Sequence, residues 1–301
     1  MDFFLKLKDL DRRWVYVCVA LSVILPMVFK FELPIYPGEA VKGFYAKVDS
    51  LPEGSRCFVS FDFDPAAEPE LGPAATAVFI HMFRRNVKPI CGANWPVGGE
   101  IAEKCLSEAK KVYLETFDTY RNAGKLAAGC VKEVLYGRDY VNLGYKPGGL
   151  IHVKNLCADF MAPYPLDREG SSTDNMAIFK NADGSRFSMN DIALIISYTA
   201  GTNGIEAFIS VEGDHKRPMA CGCTSVNIPR FTTYLQTGQL VGMAGGLPGA
   251  AEYESLIDFK GEGRAGMSPQ SIAHLVIMLF IVLGNLAYIA ENRKFRKKKK
   301  A

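Results

Sequence analysis

The residues best able to do chemistry fall in one short stretch, Ser60-Phe61-Asp62-Phe63-Asp64-Pro65. It closes an apolar run rich in β-formers from Arg56, so a strand is expected to end in two carboxylates spaced Asp-x-Asp. Carboxylates at that spacing can divide the roles of nucleophile and general acid/base, or they can cap the helix that follows. Further candidates lie where other strands should end: Asn94, Tyr145, Lys146, the run Thr199 to Asn203, and Cys221 with Cys223. Ligands of open α/β sheets gather at the carboxyl ends of the strands. Asn94, Lys146, Thr199, Thr202 and Asn203 are therefore the expected ligand-binding residues, with Asp62 and Asp64 as the catalytic pair. Gly201 to Gly204 (GTNG) can turn amides toward an anion, but it lacks the lysine and the length of a P-loop. Cys221-Gly-Cys223 reads as a metal pair, a redox pair or two packed thiols. His81, His152 and His215 stand at no ligand spacing to it, so packed thiols fit best. Neither a metal site nor a cofactor is expected.

The segments that must position these residues alternate. Strand patterns at 56–63, 87–94, 139–145, 192–199 and 217–224 are interleaved with helical patterns at 69–85, 99–120, 203–213, 229–238 and 248–259. Ile192 to Thr199 is apolar almost throughout, as a strand buried on both faces should be. The alternation predicts an α/β fold: a doubly wound, Rossmann- or flavodoxin-like, mostly parallel sheet. The polar section 163–190 reads as a loop or lid. The glycine-rich 242–249 reads as a hinge or a place of close packing, and 261–266 (GEGRAG) as a linker. Within this frame, Ser60 to Pro65 resembles the first motif of haloacid-dehalogenase-type phosphotransferases. The resemblance implies Asp62 as nucleophile, Asp64 as general acid/base and a Mg²⁺ ion. Ser197 or Thr199, and Lys146 or Lys216, would be its later partners. The family's fourth motif, a strand ending in paired acids, is missing.

Two apolar runs bracket the alternating region. Ile272 to Ala290 is free of Asp, Glu, Lys and Arg, and as a helix it reaches roughly 28 Å, about one bilayer core. Trp14 to Phe29 is shorter and follows Arg12 and Arg13. A cleaved signal peptide has the same order, but KFELPIYP rather than a small-x-small site follows the run, so a signal-anchor is expected. Residues 291–301 carry seven basic groups against one acid, whereas the chain between the two tails holds 24 basic against 28 acidic. That acidic middle excludes a nucleic-acid partner and leaves the basic tails to meet lipid headgroups. Hydrophobic residues make up 49% of the chain and charged residues 22%, which excludes disordered and fibrous classes.

The resulting division is a tail at 1–13, a span at 14–29, an α/β domain at 30–271, a second span at 272–290 and a basic tail at 291–301. Basic residues flank both spans on the side away from the domain. This predicts cytoplasmic termini and an extracytoplasmic domain. His274 and Asn285 are polar groups inside the second span and are expected to meet partner helices. DYVNLGYKPG (139–148), TGQLVGMAGGLPGAAEYE (237–254) and MSPQSIAHLVIMLFIVLGN (267–285) resemble a family of uncharacterised prokaryotic membrane proteins. That resemblance implies an α/β domain held between two transmembrane helices, and no activity. The tail KKKKA also fits an ER-retrieval pattern. No N-x-Ser/Thr sequon occurs in the middle region, so a prokaryotic cytoplasmic membrane is the expected location. The expected function is that of a non-catalytic, membrane-anchored subunit or scaffold, joined to other integral membrane subunits or to further copies of itself. The alternatives are a metal-dependent hydrolase or phosphatase acting through Asp62 and Asp64, and a small-ligand binding module.

Overall fold

The computed structural model describes residues 11–29, 33–201, 204–212 and 217–298, with side chains as far as residue 289. The chain divides into an α/β unit, Ile35–Gly263, and a unit formed by the two chain ends, Met1–Pro34 with Arg264–Ala301.

The α/β unit holds one sheet of six strands: β1 Arg56–Asp62, β2 Lys88–Ala93, β3 Val141–Tyr145, β4 Ile192–Thr199, β5 Met219–Cys223 and β6 Gly242–Gly245. Their order is β3-β2-β1-β4-β5-β6, and every neighbouring pair is parallel. The winding direction reverses between β1 and β4, the point at which doubly wound sheets open a crevice. Helices α2 (Glu39–Asp49), α3 (Glu68–Arg84), α4 (Gly98–Asn122) and α8 (Gly246–Leu256) cover the face that carries Cys57, Val59, Phe61, Ile196 and Tyr198. The other face carries Phe58, Ile90, Val141, Ile195 and Met219. Helices α5 (Leu150–Ala158), α6 (Ile205–Glu212) and α7 (Ile228–Gln236) lie over it. Side chains alternate along a strand. Ser60 and Asp62 therefore share the second face with Ser197 and Thr199, their register partners on β4.

The structure decides between two pairs of alternatives in the sequence reading and departs from it at a third point. The section 163–190 is not a lid: its Phe179 and Phe187 rings pack with Phe160 at centroid distances of 5.0 to 6.3 Å. It thus does the covering work of a helix on that face. The glycine-rich 242–249 is the sixth strand and the start of α8, and its glycines serve close packing rather than a hinge. A Cβ on Gly242 would land on the backbone nitrogen of Phe44, and one on Gly43 would stand 2.5 Å from the Val241 carbonyl oxygen. Only glycine lets α2 lie this close to the edge strand. The stretch 261–266 is helical from Glu262 rather than a linker. Gly263 donates its N–H to Glu254 Oε1 at 2.9 Å, and a Cβ there would sit 2.9 Å from the Ala251 nitrogen.

In the second unit, α1 (Arg12–Phe29) and α9 (Glu262–Lys298) are long and apolar enough to cross a membrane. Only 11% and 6% of their apolar windows are buried, so neither is the core helix of a globular domain. Leu33 N donates to Ser268 Oγ at 3.0 Å, which ties the chain beyond α1 to the early turns of α9. His274 and Asn285 are both exposed. Eleven residues apart, they share one face of α9, about three turns from each other.

Candidate functional site

Asp62 is the last residue of β1, at the edge of the reversal point, and is only 5% exposed. Its Oδ1 accepts from Ser60 Oγ at 2.8 Å and from the Asn94 backbone N–H at 2.9 Å; its Oδ2 accepts from Ser197 Oγ at 2.8 Å. Each donor is delivered by the sheet. Ser60 lies two residues back on the same face, Ser197 is supplied by β4, and Asn94 follows the end of β2. Burial raises the Asp62 carboxyl to about 6, outweighing the hydrogen bonds from Asn94, Ser197 and Ser60 that pull it down. A buried acid that titrates near neutrality at a strand end can hold a ligand proton or exchange one.

The remaining candidates divide. Asp64 does not join Asp62. Its Oδ1 accepts from the amides of Ala66 and Ala67 at 3.0 and 3.3 Å, capping the 3-10 turn Pro65–Ala67 that leads into α3. The side chain of Asn94 donates weakly to Ser60 Oγ at 3.4 Å, while its Oδ1 is buried without a partner. Thr199 is fully buried, and its hydroxyl donates to the Gly201 carbonyl at 3.0 Å, closing the turn after β4. Lys146 stands over the Tyr164 ring at 5.6 Å. Thr202 and Asn203, with His215 and Lys216, lie outside the described residues. Among the described residues, no group of three or more His, Cys, Asp or Glu side chains stands ready to hold a metal ion. Cys221 and Cys223 are buried in the core of the second face, and burial together with its neighbour holds the Cys221 thiol well above its ordinary range. They are packed thiols.

Two residues near the site carried no sequence signal. Tyr164 is almost fully buried and its hydroxyl meets His152 Nε2 at 3.0 Å. Burial, and then the charge of Asp62, raise the Tyr164 phenol far above its usual value. Burial and the nearby Lys146 lower His152 to about 4, so the imidazole is neutral at pH 7. The positions of Tyr164 and His152 depend on how the 150–164 segment folds back over the sheet, which no local spacing encodes.

The turn after β1 carries no glycine-rich phosphate loop. The first turn of α3 holds Glu68 and Glu70, which oppose an anion at that helix end. Comparison with protein-family models, with curated proteins and with solved structures returns no match for this chain.

Proposed function

We propose that this chain is a non-catalytic subunit held in a membrane by α1 and α9, which presents its α/β domain at the membrane surface within a larger assembly. One observation carries the reading: nine large apolar side chains on each of the two helices stand exposed, among them Ile24, Leu25, Val28, Met278, Ile281 and Val282. Leaving that surface in water costs on the order of 20 kcal/mol. Lipid or partner helices must cover it. The bond between Leu33 and Ser268 supports two spans entering the bilayer side by side. Arg12 and Arg13 at the start of α1, and the basic residues from Arg293 onward, favour cytoplasmic termini and an extracytoplasmic domain. The domain's free thiols are compatible with an oxidising exterior. Cys57, Cys91, Cys105, Cys130, Cys221 and Cys223 are buried, and reactive thiolate is suppressed at Cys57, Cys91, Cys105 and Cys221. The resemblance to two-span prokaryotic membrane proteins agrees with this architecture.

The residues that could run a reaction also support the non-catalytic reading. Asp64 is engaged as a cap, His152 is paired with Tyr164, and Asp62 is bonded through both oxygens. His274 and Asn285 on one face of α9 supply the membrane contact, since an amide in hydrocarbon gains from a partner across a helix pair. The test is an Asn285→Cys chain carrying a photocrosslinker on that thiol, irradiated in native membranes. The expected result is a covalently linked product containing a second polypeptide. A product that stays at single-chain mass, with His274→Cys equally inert, contradicts the reading.

A second reading, a ligand-binding module, is favoured by the Asp62 carboxyl itself: a titratable acid placed at the reversal point of a parallel sheet. Its partners would be ligands rich in N–H or O–H donors, because Asp62 and the Asn94 Oδ1 are acceptors and the adjacent helix end is acidic.

A further inference from the structure

The two apolar helices are not exposed evenly around their circumference. From Ala273 to Ile289 of α9, the covered or half-covered residues are Ala273, Val276, Phe280, Leu283 and Ala287. On α1 they are Val15, Val19, Ser22 and Pro26, with Val23 beside them. Both stripes advance in steps of three and four residues, the spacing of helices packed side by side. The bond from Leu33 to Ser268 holds neighbouring ends of the two helices together, so these stripes are the faces they turn to each other.

His274, Met278, Ile281 and Asn285 form another stripe on α9, with steps of four, three and four, and all four residues are exposed. At 100° per residue it lies about 150° around the helix from the covered stripe. The width of α9 therefore stands between this stripe and α1, which cannot meet its polar groups. His274 and Asn285 are about 16 Å apart along the axis, so whatever covers them must bring polar groups at two depths. Each side chain is donor and acceptor at once: the amide has Nδ2 and Oδ1, and the neutral imidazole one N–H and one bare nitrogen. Each thus complements a copy of itself. Two copies of one chain enter a membrane in the same orientation, so their α9 helices run parallel, with His274 level with His274 and Asn285 level with Asn285. A two-fold axis along the helices then allows reciprocal bonds at both levels, with Met278 and Ile281 packed between them. An unrelated helix would need suitable groups at both depths, whereas a second copy has them by identity.

We infer that the His274–Met278–Ile281–Asn285 stripe of α9 binds the same stripe of a second copy of this chain, forming a parallel two-fold pair with each α1 on the outside. The inference rests on the proposed anchoring by α1 and α9 and names the partner of that anchor.

The test is disulfide formation in native membranes between full-length chains given one cysteine on α9. Two differently tagged copies are co-expressed, both carrying Cys18→Ser to remove the exposed thiol of α1. Met278→Cys and Ile281→Cys are each expected to give, on oxidation, a product of twice the chain mass that carries both tags. Leu279→Cys, about 130° away from the stripe, is expected to stay at single-chain mass. Adding Asn285→Leu to Met278→Cys is expected to lower the linked fraction at least about threefold. If neither Met278→Cys nor Ile281→Cys links, or if Leu279→Cys links as readily, the inference is wrong. Its failure is distinct from that of the assembly reading. A foreign polypeptide photocrosslinked from position 285, with no disulfide from 278 or 281, overturns the self-pairing alone. Single-chain mass in both experiments overturns both.

Discussion

At Asp62, burial and hydrogen bonding pull in opposite directions, and burial wins: the carboxyl titrates near 6 rather than 3.8. An acid whose folded value lies above its unfolded one is favoured protonated. Stability is therefore lost as pH rises from about 4 to about 6, by about 3 kcal/mol at 1.4 kcal/mol per pH unit. His152 works against this trend, since its lowered value costs stability as pH falls from 6.5 to about 4. The comparison must therefore be with Asp62→Asn. Urea unfolding from pH 4 to pH 7 should show wild type losing about 3 kcal/mol relative to that variant. Equal curves across the range would mean that the carboxyl is not held as described. Removing the Ser197 hydroxyl takes away a bond that lowers the Asp62 value. Ser197→Ala should thus move the carboxyl resonance of Asp62, followed by carbon NMR, to a titration midpoint above about 6. Asp62 was visible in the sequence because an apolar strand rarely ends in an acid without cause. Its donors were half visible, through the two-residue alternation of Ser60 and the strand end at Ser197. Tyr164 and His152 were invisible, because a long, irregular segment brings them in.

Among the elements, five of the six strands can be read from their apolar runs, and β4 matches its expected limits residue for residue. β6 could not, because Gly-Met-Ala-Gly offers no alternation. Its place is set by what glycine permits, the approach of α2 to the sheet edge. Helix α5 (Leu150–Ala158) and helix α2 (Glu39–Asp49) also escaped, each short and flanked by glycine or proline turns. Gly242→Ala tests the packing account directly. Its Cβ meets backbone rather than a yielding side chain, so a loss of at least about 2 kcal/mol is expected in chemical unfolding. Gly201→Ala is the control, since a Cβ there meets nothing within 4 Å. It should change stability by less than about 0.5 kcal/mol. Comparable losses in both would remove close packing as the reason for the β6 glycines.

For the whole molecule, the decisive feature is the contrast between a domain whose apolar residues are packed away and two helices whose apolar residues are not. The α/β domain buries Phe44, Phe58, Phe61, Phe79 and Tyr198 almost completely, whereas α1 and α9 leave large side chains uncovered along their length. That contrast was legible in the sequence from Trp14–Phe29 and Ile272–Ala290. The partner proposed for the polar face of α9 was not, because His274 and Asn285 specify a need for hydrogen bonds and not an identity. The measurement that tests the account most directly is the protein mass of the complex after gentle detergent extraction, with the detergent contribution subtracted and each polypeptide identified. The expected result is an assembly of more than one polypeptide that falls apart when His274 and Asn285 are both replaced by Leu. A homogeneous single chain of 33.1 kDa from native membranes would contradict it.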